Sequence, residues 1–141
     1  MTASFEFTAV ERFCAGAVGE PGSRVFFLQV ASEGALVSLK IEKQQVAALA
    51  EYLARILDDL APAEDTIEVD NAVAEPVVAE WAVGSMGVAI DESDDRIVLM
   101  VEEVTDPDDP EADPASLRAG LSRHQVNAFI DQARDLVARG R

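Results

Sequence analysis

The sequence predicts an α+β fold: two tandem βββ(β)α pseudo-repeats, antiparallel sheets each covered by one helix, in a single compact domain. Three observations carry this. Two separate stretches alternate apolar and polar residues as strands do. Each is followed by a segment whose apolar residues fall three and four apart, the stripe of an amphipathic helix. The two helical segments match at an offset of 80 residues without a gap, IEKQQVAALAEYLARIL from Ile41 lying over LSRHQVNAFIDQARDLV from Leu121.

In chain order, SFEFTAVERF alternates with Phe5, Phe7 and Ala9 on one side and runs on into CAGAVG after an irregularity at Glu11 and Arg12. EPGS is a turn, because Pro fixes a negative φ and Gly accepts a positive one. Arg24 to Ala31 is rich in aromatic and β-branched residues and reads as a strand; SEGA turns it into the alternating strand Ala35 to Ile41. From Val46 the period changes to helical, through Leu49, Leu53, Leu57 and Leu60, and Pro62 stops the helix. Residues 62–75 read as a linker, with a short extended piece at TIEV. The second set follows as VVAEWAVGSMGVAI, the turn DESDD, and RIVLMVEEV. TDPDDPEADP holds three prolines and is an exposed loop. SLRAGL is a short strand, and Ser122 to Val137 is the second helix, with Gly140 as its stop. Repeat one thus spans residues 1–61 and repeat two residues 76–141.

Within the repeats, Lys43 meets Arg123, Gln45 meets Gln125 and Val46 meets Val126. Upstream, the glycine pair Gly16 and Gly19 aligns with Gly84 and Gly87, and Arg24 aligns with Arg96. This is the pattern of an internal duplication. Ser122 with Gln125 three residues on forms a capping box, and Gln45 does the same behind Glu42. That is a scaffold role for the paired glutamines, set beside a ligand role.

The totals exclude several function classes. The 141 residues suffice for one core, and no apolar run approaches the length of a membrane span. MTASFEF lacks the basic and apolar regions of a secretory signal, and the single cysteine, Cys14, agrees with a reducing compartment, so the expected place is the cytoplasm. Eleven basic against 27 acidic residues give a net charge of −16, which repels nucleic acid and anionic membranes. The acidic excess fills both halves and serves solubility.

RFCAGAVGEPGSRVFFLQV from Arg12, IEKQQVAALAEYLARIL from Ile41 and AEWAVGSMGVAID from Ala79 resemble the actinobacterial family of uncharacterised proteins called DUF3090, over almost the whole chain. The resemblance implies a lineage more than an activity. It also implies, in the longer family form, a Cys-x-x-Cys segment with a further His and Cys that would hold zinc. Here the sequence stops at ARGR, where that segment would begin, so no zinc ligand carries over and this chain is expected to hold no cofactor. The layout also resembles that of PUR and Whirly domains, which implies single-stranded nucleic acid binding, against the charge. Such binding needs a basic groove with exposed aromatics; Arg24, Lys40, Lys43, Trp81 and Phe13 are what the chain offers.

Other chemistry finds little footing. The stretch CAGAVGEPGSR is neither GxxxxGK[ST] nor a GxGxxG opening a helix, which weakens a phosphate cradle. His124 sits in the first turn of a helix beside Arg123, a surface position before a general base. Cys14 lies in an apolar strand and reads as a buried thiol rather than a nucleophile. DESDD and DPDDPEAD lack the glycine and terminal acid of a calcium loop. Trp81 is expected to pack under a helix. No catalytic set stands out. The expectation is a binding or adaptor module acting through protein partners, with a homodimer as another partner and a small-anion or nucleotide accessory site as an alternative function. Its surface is expected at Gly16, Gly19, Arg24, Lys43, Gln45, Gly84, Gly87, Arg96, Arg123 and Gln125.

Overall fold

Every predicted strand and helix reappears in the computed structural model, which describes residues 2–20, 22–60 and 69–139. The elements are β1 (Phe5–Phe7), β2 (Arg12–Val18), β3 (Val25–Ser32), β4 (Ala35–Ile41), α1 (Lys43–Asp59), β5 (Ala79–Asp91), β6 (Arg96–Glu103), β7 (Ser116–Leu121) and α2 (Arg123–Arg139). α1 begins at Lys43, three residues before the Val46 that opens its apolar stripe. Leu60 follows its end in extended conformation. The expected stops at Pro62 and Gly140, residues 62–68 of the expected linker, and all of TIEV but its last residue lie outside the described residues.

The strands form one mixed sheet of seven, in the order β1-β7-β6-β5-β4-β3-β2. The β2–β3, β3–β4, β5–β6 and β6–β7 pairs are antiparallel, as the alternation and turns predict. Two junctions are parallel: β1 beside β7, and β4 beside the start of β5. This corrects the expectation of two separate antiparallel sheets. Alternation tells which face a side chain occupies but not which strand lies alongside. In each half the opening strand leaves its own hairpins and joins the last strand of the other half. SFEFTAVERFCAGAV therefore breaks into β1 and β2 at residues 8–11, whereas β5 stays continuous and shifts register between Val83 and Ser85.

The crossing at residues 8–11 is pinned. The Val10 N–H donates to the Gly120 carbonyl at 3.0 Å and the Glu11 N–H to the Ala31 carbonyl at 2.9 Å. The Thr8 carbonyl lies so close over Gly120 that any Cβ there would collide with it.

One core unites both halves. Phe13, Leu28, Val30 and Leu39 from the first pack with Ile97, Leu99, Leu117 and Leu121 from the second, under the buried stripes of α1 and α2. The Phe13 and Phe129 rings stack with centroids 4.2 Å apart, so α2 covers β2 of the other half. This corrects the picture of each helix over its own sheet: the helices pack side by side over a shared core.

Strand register also corrects the alignment of the halves. Ile41 and Leu121 precede the matching helices; Phe26 stands opposite Ile41 and Ile97 opposite Leu121. Arg96 therefore corresponds to Val25, and the counterpart of Arg24 is Asp95. Ala15 faces Leu28 as Val88 faces Leu99, so Gly16 corresponds to Ala89 and Gly87 to Cys14. The glycine pairs aligned in sequence do not share places in the sheet.

Gly120→Ala is expected to destabilise the fold by about 3 kcal/mol, the upper range for overpacking, because backbone must move. Gly87→Ala is expected to be near neutral, since the atom nearest its Cβ is the flexible Met100 methyl at 3.7 Å. Urea unfolding of the two variants checks the contrast.

Candidate functional site

The two glutamines fulfil the same local task. At α1 the Gln45 Oε1 accepts the Glu42 N–H at 2.8 Å; at α2 the Gln125 Oε1 accepts the Ser122 N–H at 2.9 Å. Both are the return arm of a capping box. Their other amide atoms reach the opposite half. Gln125 Nε2 donates to the Val10 carbonyl at 2.7 Å, and Gln45 Nε2 to the Val83 and Gly84 carbonyls at 3.2 and 3.3 Å. Register makes Arg12 and Ser85 correspond, and two residues before each stand Val10 and Val83, where an opening strand changes neighbours. Both amides thus bond to backbone at both ends.

The glycines serve close approach and turns. Gly16 lies under Val73, whose side chain fills the space of a Cβ. Gly84 sits at the register shift in β5, with the Val104 backbone 2.7 Å from where its Cβ would be. Gly19 takes φ +111° in the turn after β2, a conformation that only glycine adopts cheaply. Gly87 is extended in β5.

The cations are not gathered into one site. Arg123, the first residue of α2, pairs with Asp95 at 2.8 Å. Lys43 stands at the corresponding place on α1, and Arg24 at the place of Asp95. Both are half-buried, and neither has an ion pair among the described residues. Arg96 is half-buried at the start of β6.

The side chains that sequence reasoning passed over hold a segment against the sheet face away from the helices. Residues 69–75, expected as linker, form a strap across the first half. The fully buried Gln29 grips it as a strand would: its Oε1 accepts the Ala74 N–H and its Nε2 donates to the Ala74 carbonyl, both at 2.9 Å. Nε2 also donates to Ser38 Oγ at 3.0 Å. On α2, Gln132 accepts the Ala15 N–H of β2 at 2.9 Å and donates to the Asn71 carbonyl at 2.6 Å. Arg12 pairs with Asp70, whose carboxyl is held below its ordinary range by the Ala72 N–H and then by Arg12. The available signal was Gln29 itself, a lone polar residue inside VFFLQVA. Asn71 and Gln132 gave none, because their partners are distant in sequence.

Cys14 lies under the strap, its thiol directed at Gln29 Oε1 and the Ala72 carbonyl. Burial pushes its pKa up to about 11, so the nucleophilic thiolate is scarce at neutral pH. Trp81 is buried and donates to the Ala3 carbonyl at 2.8 Å. His124 is half-buried in the first turn of α2. In DESDD the Asp91 carboxylate accepts the Ser93 hydroxyl and the Asp94 N–H, a turn that closes on itself. Among the described residues no three His, Cys, Asp or Glu side chains converge as metal ligands, and no helix is long and apolar enough to cross a membrane.

The second half carries no strap among the described residues. The row Cys14, Gln29, Ser38 corresponds to Gly87, Met100, Arg118. There Met100 is half-buried and Arg118 exposed, beside an open cleft of about 630 Å³ that also touches Phe5, Glu6 and Glu102.

A family model described as "Protein of unknown function (DUF3090)" matches residues 5–141. No curated protein and no solved structure matches the chain.

Gln125→Ala is expected to cost about 2 kcal/mol, because it strips the α2 cap and leaves the Val10 carbonyl without its donor. Gln45→Ala, at a less buried site, is expected to cost about half as much. Thermal and urea unfolding of both variants measure the difference.

Proposed function

We propose that the chain, which belongs to the DUF3090 family, is a cytoplasmic protein-binding or adaptor module built from a duplicated βββ(β)α unit. The observation that carries this reading is the unequal finish of the two halves. The first has its outer face covered by the strap and its edge closed by Gln132. The corresponding face of the second is open around Met100 and Arg118. A scaffold that finishes one face and leaves its counterpart accessible offers that counterpart to a partner. The duplication is supported by the order in each half of an opening strand (split into β1 and β2 in the first, the single β5 in the second), two further strands and a helix, and by the corresponding bonds of Gln45 and Gln125. The buried thiol suits a reducing compartment. The single-stranded nucleic acid alternative draws less support, because Trp81 and Phe13 are buried in the core, where no base can stack on them.

A small-anion accessory site is a second reading, favoured by one observation. Arg24 and Lys43 occupy the places of the Asp95–Arg123 pair, so two cations stand where the other half balances its charge.

Used as bait in a native lysate, the chain is expected to retain one protein partner in stoichiometric amount. Retention of none ends the protein-binding reading. For the second reading, inorganic phosphate and nucleotides are expected to raise the melting temperature, and Arg24→Ala to remove the rise. A flat response across the panel ends it.

A further inference from the structure

We infer that the free edge of β5, Ser85 to Asp91, is the docking element: it accepts an extended segment of a partner protein, apolar at alternate positions and basic in net charge, as an added strand. The inference rests on the protein-binding reading and names its partner's chemistry.

From Ser85 to Asp91, β5 pairs only with β6, because β4 leaves it after Ala82. In an antiparallel pair, alternate residues turn their N–H and C=O groups away from the partner strand. Among the described residues no hydrogen bond reaches these groups from any other element. None of the seven residues is buried, and Ile90 is 44% exposed.

The corresponding edge shows that this is not imposed by the fold. On β2 the residue corresponding to Val88 is Ala15, whose N–H is taken by Gln132 of α2. On α1 the residue matching Gln132 is Tyr52, which is 49% exposed and makes no hydrogen bond to β5 among the described residues. One edge is capped by a side chain and the other is not.

The composition of the edge is that of an acceptor. Ser85 to Ile90 has no charge and no proline, the two devices that usually blunt a free strand. Met86, Val88 and Ile90 share one side, and Gly87 and Ala89 the other, so an added strand meets an apolar row and a row with room for its own side chains. Charge then selects the occupant. The chain carries −16, and the strand runs into the acidic turn DESDD. A basic segment is drawn to this end, while a second copy, equally acidic, is repelled.

The test uses the intact chain and two synthetic peptides of one alternating pattern, KVTVKIK and its acidic counterpart EVTVEIE. The basic peptide is expected to bind by fluorescence anisotropy, and to slow amide hydrogen exchange in residues 85–91 more than anywhere else. Binding should weaken at least tenfold in Ile90→Lys, a half-exposed site where folding tolerates the change, and the acidic peptide should bind at least tenfold more weakly. Three results overturn the inference: no binding of the basic peptide, protection located elsewhere, or concentration-dependent self-association through this edge, which makes a second copy the occupant. A lysate partner retained undiminished by Ile90→Lys overturns the edge while leaving the protein-binding reading intact.

Discussion

Two side-chain amides fix the geometry on which the rest of the molecule depends. Each opening strand must leave its hairpin partners and cross to the other half, and at the crossing a backbone carbonyl loses its place in the ladder. A buried carbonyl without a donor is costly. Gln125 supplies the donor at Val10 and Gln45 supplies it at Val83 and Gly84, while the oxygen of the same amide holds the helix N-cap. Helix start, strand bend and exchange between halves are therefore one constraint. This also explains the pinned residues around Val10, where the Gly120 carbonyl and the close Thr8 backbone leave no freedom for the crossing to slide.

What the sequence made legible follows from what is local. Helical stripes, hairpin turns and the Ser122–Gln125 box lie within a few residues, and all appear where expected. The partners of β1 and of the start of β5 were not legible, because a strand's alternation is the same whichever neighbour it takes. The helices aligned correctly because their offset is uniform, but the β2–β3 turn spans residues 19–24 and the β5–β6 turn residues 92–95. Matching glycines and arginines across turns of unequal length shifted the strands, and a one-residue slip moves a side chain to the other face. Arg24 and Arg96 were the casualties. The glycines are places where backbone or a neighbouring side chain presses close, and each half needs that at its own positions.

The strap shows how a polar residue can be required inside an apolar strand. Gln29 is buried among aliphatic neighbours because its amide offers one donor and one acceptor in the spacing of a peptide group, which lets it pair with Ala74 as a strand would. Burying an unpaired amide would cost several kcal/mol, so Gln29 is tolerated only with the strap in place. The strap in turn is fastened to α2 through Asn71 and to β2 through Arg12 and Asp70. Position 100 of the second half holds Met where the first half has Gln29, and Met needs no partner. Met100 thus neither requires a strap nor has the means of holding one.

Met100 at the position that corresponds to Gln29, together with Tyr52 at the α1 position that matches Gln132 on α2, makes the two halves chemically different. In the first half Gln29, Ser38, Arg12 and the Ala15 N–H each answer another part of the same chain. In the second, the corresponding positions are occupied by side chains with no such obligation: Gly87, Val88, Met100 and Tyr52. A free, uncharged strand is an aggregation hazard in most proteins. Here the hazard is limited by electrostatics, since any two copies approaching edge to edge bring 16 negative charges each. The same charge that suppresses self-pairing favours a basic segment, so the acidic surface and the open edge act as a single selective device.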